Sequence, residues 1–234
     1  MKMADAAEQL LRAKGFGFFG AITASLSHEI NNVFAIVNEL SGLLDDFLQA
    51  SEQGTPLKPE RLKGTTERIA AQVERGQEYV RRLNRFAHTV DEEQVPVDLN
   101  ETVGAVTTLC RRFGLLRRVE LETALPETSP RIQASPFELQ HIIYRCIDIQ
   151  LDAASEGDVV EIAVQPQGEG ARLTFAGRSP ADGGAELERK RDFLEVLVEE
   201  MGGVVDGAIE SGQPVRLEVV LSGAASGRDE VGGA

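Results

Sequence analysis

The chain predicts an α+β fold in two parts: a long helical hairpin that forms a dimeric four-helix bundle, followed by an α/β sandwich. Three observations carry this. A proline-free run with helical apolar spacing covers residues 18–48. A second helical run follows a loop rich in glycine and proline, and from residue 95 onward helix and strand patterns succeed one another. Hydrophobic residues make up 42 % of the 234, enough for a real core in one or two domains.

The first helix covers residues 1 to 50, with a break expected near Gly15 and Gly17. Indexed at about 100° per residue, Phe19, Ile22, Leu26, Ile30, Val33, Val37, Leu40 and Leu44 form one broad stripe. His28 lies nearly opposite, among the small or polar Ala21, Ala24, Ser25 and Asn32. The segment SEQGTPLKPE, 51–60, carries Gly54, Pro56 and Pro59 and reads as a loop. A second helix is expected over 61–91, where Leu62, Ile69, Val73, Val80, Leu83 and Ala87 step by 7, 4, 7, 3 and 4. Its other faces carry Arg68, Arg75, Arg81, Arg82 and Arg85, read as a solvated face or a docking rim for an acidic partner. One hairpin cannot shield the apolar stripes of both its helices, so a homodimer is expected, with His28 on the outside of the bundle.

VPVDLN, 95–100, reads as a linker whose Asn100 caps a helix over 101–113. A strand is expected at 119–123. The helix over 135–155 is capped by Ser135, has Pro136 in its first position, and buries Leu139, Ile142, Ile143, Cys146 and Ile149. His141 is expected at the edge of that buried face, and Asp148 and Asp152 on a solvated acidic face. Strands at 158–165 and 171–176, a helix at 185–201 and a closing hairpin that ends in a strand complete one antiparallel or mixed sheet with helices on one face. The domains are then 1–94 and 95–222, with 223–234 a disordered tail.

Acidic residues outnumber basic ones, 38 to 24, for a net charge of −14. Such a surface argues against nucleic acid as the main ligand and against anionic membrane. No run reaches the ~18 apolar residues of a membrane span, and the N-terminus lacks a signal-peptide pattern, so no membrane insertion and a cytoplasmic location are expected. Cys110 and Cys146 fit no metal or redox spacing and read as reduced core residues. His88 reads as structural or merely exposed. Nothing ahead of the hairpin reads as an input domain.

SHEINN, residues 27–32, resembles the H-box of sensor histidine kinases. The resemblance implies that His28 is the phosphoacceptor, that Glu29 assists proton handling, and that Asn32, one turn on, orients the attacking group. The second part resembles the ATP-binding domain of that family, so the similarity runs from about residue 18 to 222 and weakens along the way. Its departures are specific. Aligned through Leu139, Gln140, Asp152 and Ala153, the helix LQHIIYRCIDIQLDAA puts Ile149 where the family keeps a magnesium-holding asparagine, and Arg145 at an earlier asparagine position. Ile149 offers no oxygen to a hard cation. The strand ending in Phe175 and Ala176 lacks the adenine-reading aspartate; Asp182 stands later, Gly183 and Gly184 lack the family spacing, and the stretch before the next helix is too short for a nucleotide lid. The expectation is a two-component histidine phosphotransferase rather than an autokinase. It would bind no ATP and no metal of its own. It would exchange phosphate between His28 and response-regulator receiver domains, with Mg2+ supplied by the receiver. The competing readings are an ATP-dependent sensor histidine kinase with divergent motifs and a non-catalytic scaffold that binds a receiver domain.

Overall fold

The structure, a computed structural model, describes residues 2–180, 184–207 and 209–222. The chain divides into two compact units, one formed by Phe19–His88 and the other by Met1–Phe18 together with Thr89–Ala234. The expected boundary at 94–95 therefore lies a few residues inside the second unit. The expected tail, 223–234, lies outside the described residues.

Helix α1 runs from Lys2 to Glu52 and α2 from Pro59 to His88. No break occurs at Gly15 or Gly17. Gly15 is buried, and a Cβ built there would lie 3.6 Å from Phe137, an ordinary contact, so that glycine marks close packing of a continuous helix. A turn at Thr89–Asp91, of the tighter 3-10 type, ends the region expected as one helix to residue 91. Within the hairpin, Ile22, Leu26, Val33, Leu40 and Phe86 are buried, and the rings of Phe19 and Phe86 stack with centroids 5.3 Å apart. Gly76 lets the helices close: a Cβ there would meet Val33 Cγ1 at 3.2 Å. Several stripe residues stay uncovered by this one hairpin, among them Val73 at 45 % exposure, Val80 at 44 % and, beyond the stripe, Phe34 at 63 %.

In the second unit, the chain past Asp91 continues with a short strand, β1, Val95–Asp98, where a linker was expected. It pairs antiparallel with β3, Arg131–Ala134. Each is four residues long, too short for alternation to stand out from a loop, and β1 contains Pro96. Helix α3 is Leu99–Arg117, and its cap is Asp98, not Asn100. Asp98 is extended and its Oδ1 accepts the Glu101 N–H at 3.0 Å, while the Asn100 amide donates to the Pro126 carbonyl at 2.8 Å. Strand β2 is Glu120–Ala124; α4, Pro136–Ala153, starts with Ser135 capping Glu138 and Pro136 in its first turn, as expected. Then come β4 (Val159–Gln167), β5 (Gly170–Pro180), α5 (Ala185–Glu200), β6 (Val204–Asp206) and β7 (Pro214–Leu221). The five-stranded sheet has the order β2-β4-β5-β7-β6, with β2 parallel to β4 and the other neighbours antiparallel. Its inner face and α3, α4 and α5 enclose one core that includes Val103, Cys110, Leu139, Ile142, Cys146, Ile162, Phe175, Leu194 and Leu217. Cys110 and Cys146 are free thiols whose burial pushes both well above the usual thiol range.

Candidate functional site

His28 sits midway along α1 and is exposed. Asn32 is four residues on, and the helix stacks it directly beside the imidazole, with Asn32 Nδ2 3.1 Å from His28 Nδ1. Ser25 and Ala24, one turn earlier, keep that surface low. Glu29, at i+1, faces elsewhere: its Oε2 accepts from the Tyr79 hydroxyl at 3.0 Å and from Arg75 Nη2 at 3.5 Å, both on α2. Arg75 also donates to Tyr79 (2.9 Å) and lies 5.5 Å from its ring; these contacts, led by the Tyr79 hydrogen bond, raise its pKa above the usual guanidinium value. His28 and Asn32 are thus brought together, while the Glu29 carboxylate ties α1 to α2. Tyr79 was not singled out in the sequence; its one signal is its place at i+4 from Arg75 on an otherwise arginine-rich helix. Of the other arginines, Arg81 and Arg82 both pair with Glu78, at 3.0 and 2.8 Å.

In the second unit Ile149 is fully buried in the core. The neighbouring Gln150 is used structurally: its Nε2 donates to the Phe175 carbonyl (2.9 Å) and the Val215 carbonyl (3.2 Å), binding α4 to β5 and β7. Asp148 and Asp152 do not form a solvated acidic face. Lys190 of α5 reaches both, at 2.8 Å from Asp148, and Asp152 also pairs with Arg117 at 2.7 Å. Arg145 lies 3.7 Å from Asp148. Burial opposes the Lys190 charge, but hydrogen bonds to the two carboxylates hold its pKa above the usual lysine value. The sequence misleads here because two of the three cations, Arg117 and Lys190, come from 35 to 42 residues away. His141 is deeper than its expected place at the core edge: it is 2 % exposed, stacks on Phe18 with centroids 4.9 Å apart, and its Nε2 accepts from Arg145 Nε at 3.1 Å. Burial, helped by the Arg145 charge, pushes its pKa down to about 3. Asp182 and Gly183, considered for nucleotide contact, lie outside the described residues. Among the described residues no cluster of three histidine, cysteine or acidic side chains is placed to hold a metal ion, and no helix is long and apolar enough to cross a membrane.

The nucleotide-free catalytic domain of histidine kinase ThkA superposes with a TM-score of 0.50 at 14 % identity, over 58 % of this chain and all of that domain. The α/β sandwich has the histidine-kinase catalytic-domain fold. A longer ThkA structure, in complex with response regulator protein TrrA, matches with a TM-score of 0.49 at 16 % identity over 97 % of this chain and 69 % of that one. In sequence, the chain is similar to the phosphoglycerate transport system sensor protein PgtB of Salmonella typhimurium, 25 % identical over 175 residues, or 74 % of this chain. It spans 25 % of that relative's length. No protein-family model matches.

Proposed function

We propose that this chain is a dimeric histidine phosphotransferase of a two-component system, in which His28 takes a phosphoryl group from the aspartyl phosphate of a response-regulator receiver domain and passes it on. The observation that carries the reading is the fate of the metal-holding position. On the alignment above, Ile149 stands there, sealed in the core, and the nearby carboxylates Asp148 and Asp152 are occupied by Lys190, Arg117 and Arg145. These side chains do not suit a magnesium-bound nucleotide, which needs free oxygen ligands.

His28 keeps what acceptance requires: exposure and a neighbour that sets its tautomer. As placed, Asn32 Nδ2 faces Nδ1. A half-turn of the amide presents Oδ1 instead, which accepts the proton of Nδ1 and leaves the Nε2 lone pair free. That lone pair attacks phosphorus in line, the P–N bond forms, the acyl P–O bond breaks, and the aspartate carboxylate departs with the electron pair. The Mg2+ that screens the phosphoryl oxygens belongs to the receiver. Glu29, held by Tyr79 and Arg75, keeps the hairpin in register beside the imidazole.

The competing reading, an ATP-dependent kinase with divergent motifs, draws on the fold and on the sensor-protein name of PgtB. One experiment separates the two. The full chain is incubated with receiver domains carrying labelled aspartyl phosphate and, separately, with labelled Mg-ATP. Acid-labile, alkali-stable label should appear from a receiver and not from ATP. It should vanish in His28→Gln and form about fivefold more slowly in Asn32→Ala, the loss expected for one neutral hydrogen bond of about 1 kcal/mol. Label on His28 from Mg-ATP alone would establish the kinase instead.

A further inference from the structure

The sheet of the second unit ends at β2. Among the described residues β2 pairs only with β4, so its outer edge presents unpaired backbone N–H and C=O groups over residues 120–124. Above this edge runs α3. Gly104, Thr107, Thr108 and Arg111 follow helical spacing along one face and, with Glu120, Leu121, Glu122 and Thr123, line a groove of about 460 Å³. Nothing occupies the space a side chain would take at Gly104.

Two groups in this groove lack partners. Thr107 is 2 % exposed, yet its hydroxyl has no hydrogen-bond partner. The Arg111 guanidinium is exposed and pairs with no carboxylate among the described residues. Leu115, one turn beyond Arg111 on the same face, is 76 % exposed. The register fixes the two faces of the edge. Thr123 is opposite Ile162, which is buried under the helices, so Leu121 and Thr123 point inward. Glu122 lies directly beside Glu161 on the outward face, with Glu120 two residues away. Like charges side by side on neighbouring strands repel, and a cation on the open flank of Glu122 relieves that repulsion.

We propose that this edge is a docking site for an extended segment of another protein, which adds to the sheet as a strand beside β2. Its outward residues are basic and meet Glu120 and Glu122. Its inward residues carry hydroxyl or other acceptor groups that meet Arg111. The main chain supplies affinity, and the alternation supplies selectivity. This site is independent of His28 and of the phosphotransfer reading.

The probe is the peptide Lys-Thr-Lys-Thr-Lys-Thr-Lys, blocked at both ends, with a control carrying glutamate at each lysine position. Hydrogen exchange of amides 120–124 is followed in the full chain. The lysine peptide should slow exchange there by about tenfold or more, with the effect falling as salt rises, while the control should not. In Glu122→Lys, exposed on the outer face and expected to fold normally, the preference should invert toward the control. Equal protection by both peptides, no protection at millimolar peptide, or protection unaltered by Glu122→Lys would overturn the proposal. So would concentration-dependent protection without peptide, which would mean that the edge pairs with a second copy.

Discussion

Of the imidazoles in the chain, His141 shows most clearly what folding does to a titrating group. Its ring is stacked on Phe18, and the Arg145 guanidinium donates to its Nε2, so the neutral form is held and the pKa falls from 6.5 to about 3. The folded-state value is below the unfolded one, so between these two pH values the unfolded chain binds the extra proton. Stability therefore rises with pH across this window and is lost as the solution is acidified, by about 1.4 kcal/mol per pH unit from this group alone. His141→Phe keeps a ring against Phe18 and removes the titration. Urea melts at several pH values between 3.5 and 6.5 should show a slope for the wild type that is reduced by up to that amount in the variant. Equal slopes would mean that His141 titrates normally in the folded protein. His28, exposed on α1, meets no such burial. The contrast between the two shows that placement decides which imidazole is available to a partner.

Elements differ in how much of them can be read from the chain. Helix α4 was legible because its signals are local: a serine cap, a proline in the first turn and an apolar stripe that became core. The contact between His28 and Asn32 was legible for the same reason, since helical geometry alone places i and i+4 together. Strands β1 and β3 were not, because each becomes a strand only through a partner more than thirty residues away. The same holds for the clasp of Glu29 by Tyr79, fifty residues along the chain, and for the ion cluster that joins α3, α4 and α5. That cluster has a measurable consequence. Asp148 and Asp152 are about four-fifths covered, and Lys190 is the group that reaches both. Lys190→Met keeps the aliphatic stem but removes the shared cation, leaving two partly buried carboxylates with Arg145 and Arg117 only. The expected cost is about 1–3 kcal/mol, below that of breaking a fully buried pair because water still reaches the cluster. Chemical denaturation measures it, and Lys190→Arg should recover part of the loss. A Lys190→Met variant as stable as the wild type would show that the two arginines suffice.

At the scale of the whole molecule, the hairpin leaves an apolar seam exposed. Ile30, Val33, Phe34 and Val37 of α1, with Val73, Gly76 and Val80 of α2, line an apolar groove of about 430 Å³. Phe34, Val73 and Val80 stand out of it, each more than two-fifths exposed. A contiguous apolar strip of this kind on a helix pair marks a surface meant to be covered. Because Val73 and Val80 are seven residues apart on one seam, another helix pair suits it better than a compact ligand does. The proposed bundle of two hairpins is the simplest cover. Charging the seam tests it without touching the core. Val73 and Val80 are both exposed within one chain, so the double variant Val73→Lys and Val80→Lys should retain its helical signal by circular dichroism. Light scattering at tens of micromolar should give twice the 25.4 kDa chain mass for the wild type and 25.4 kDa for the variant. A wild type that scatters as a single chain would remove the four-helix bundle, and with it the two-protomer form of the phosphotransfer proposal. A variant that remains double the chain mass would move the dimer contact away from this seam.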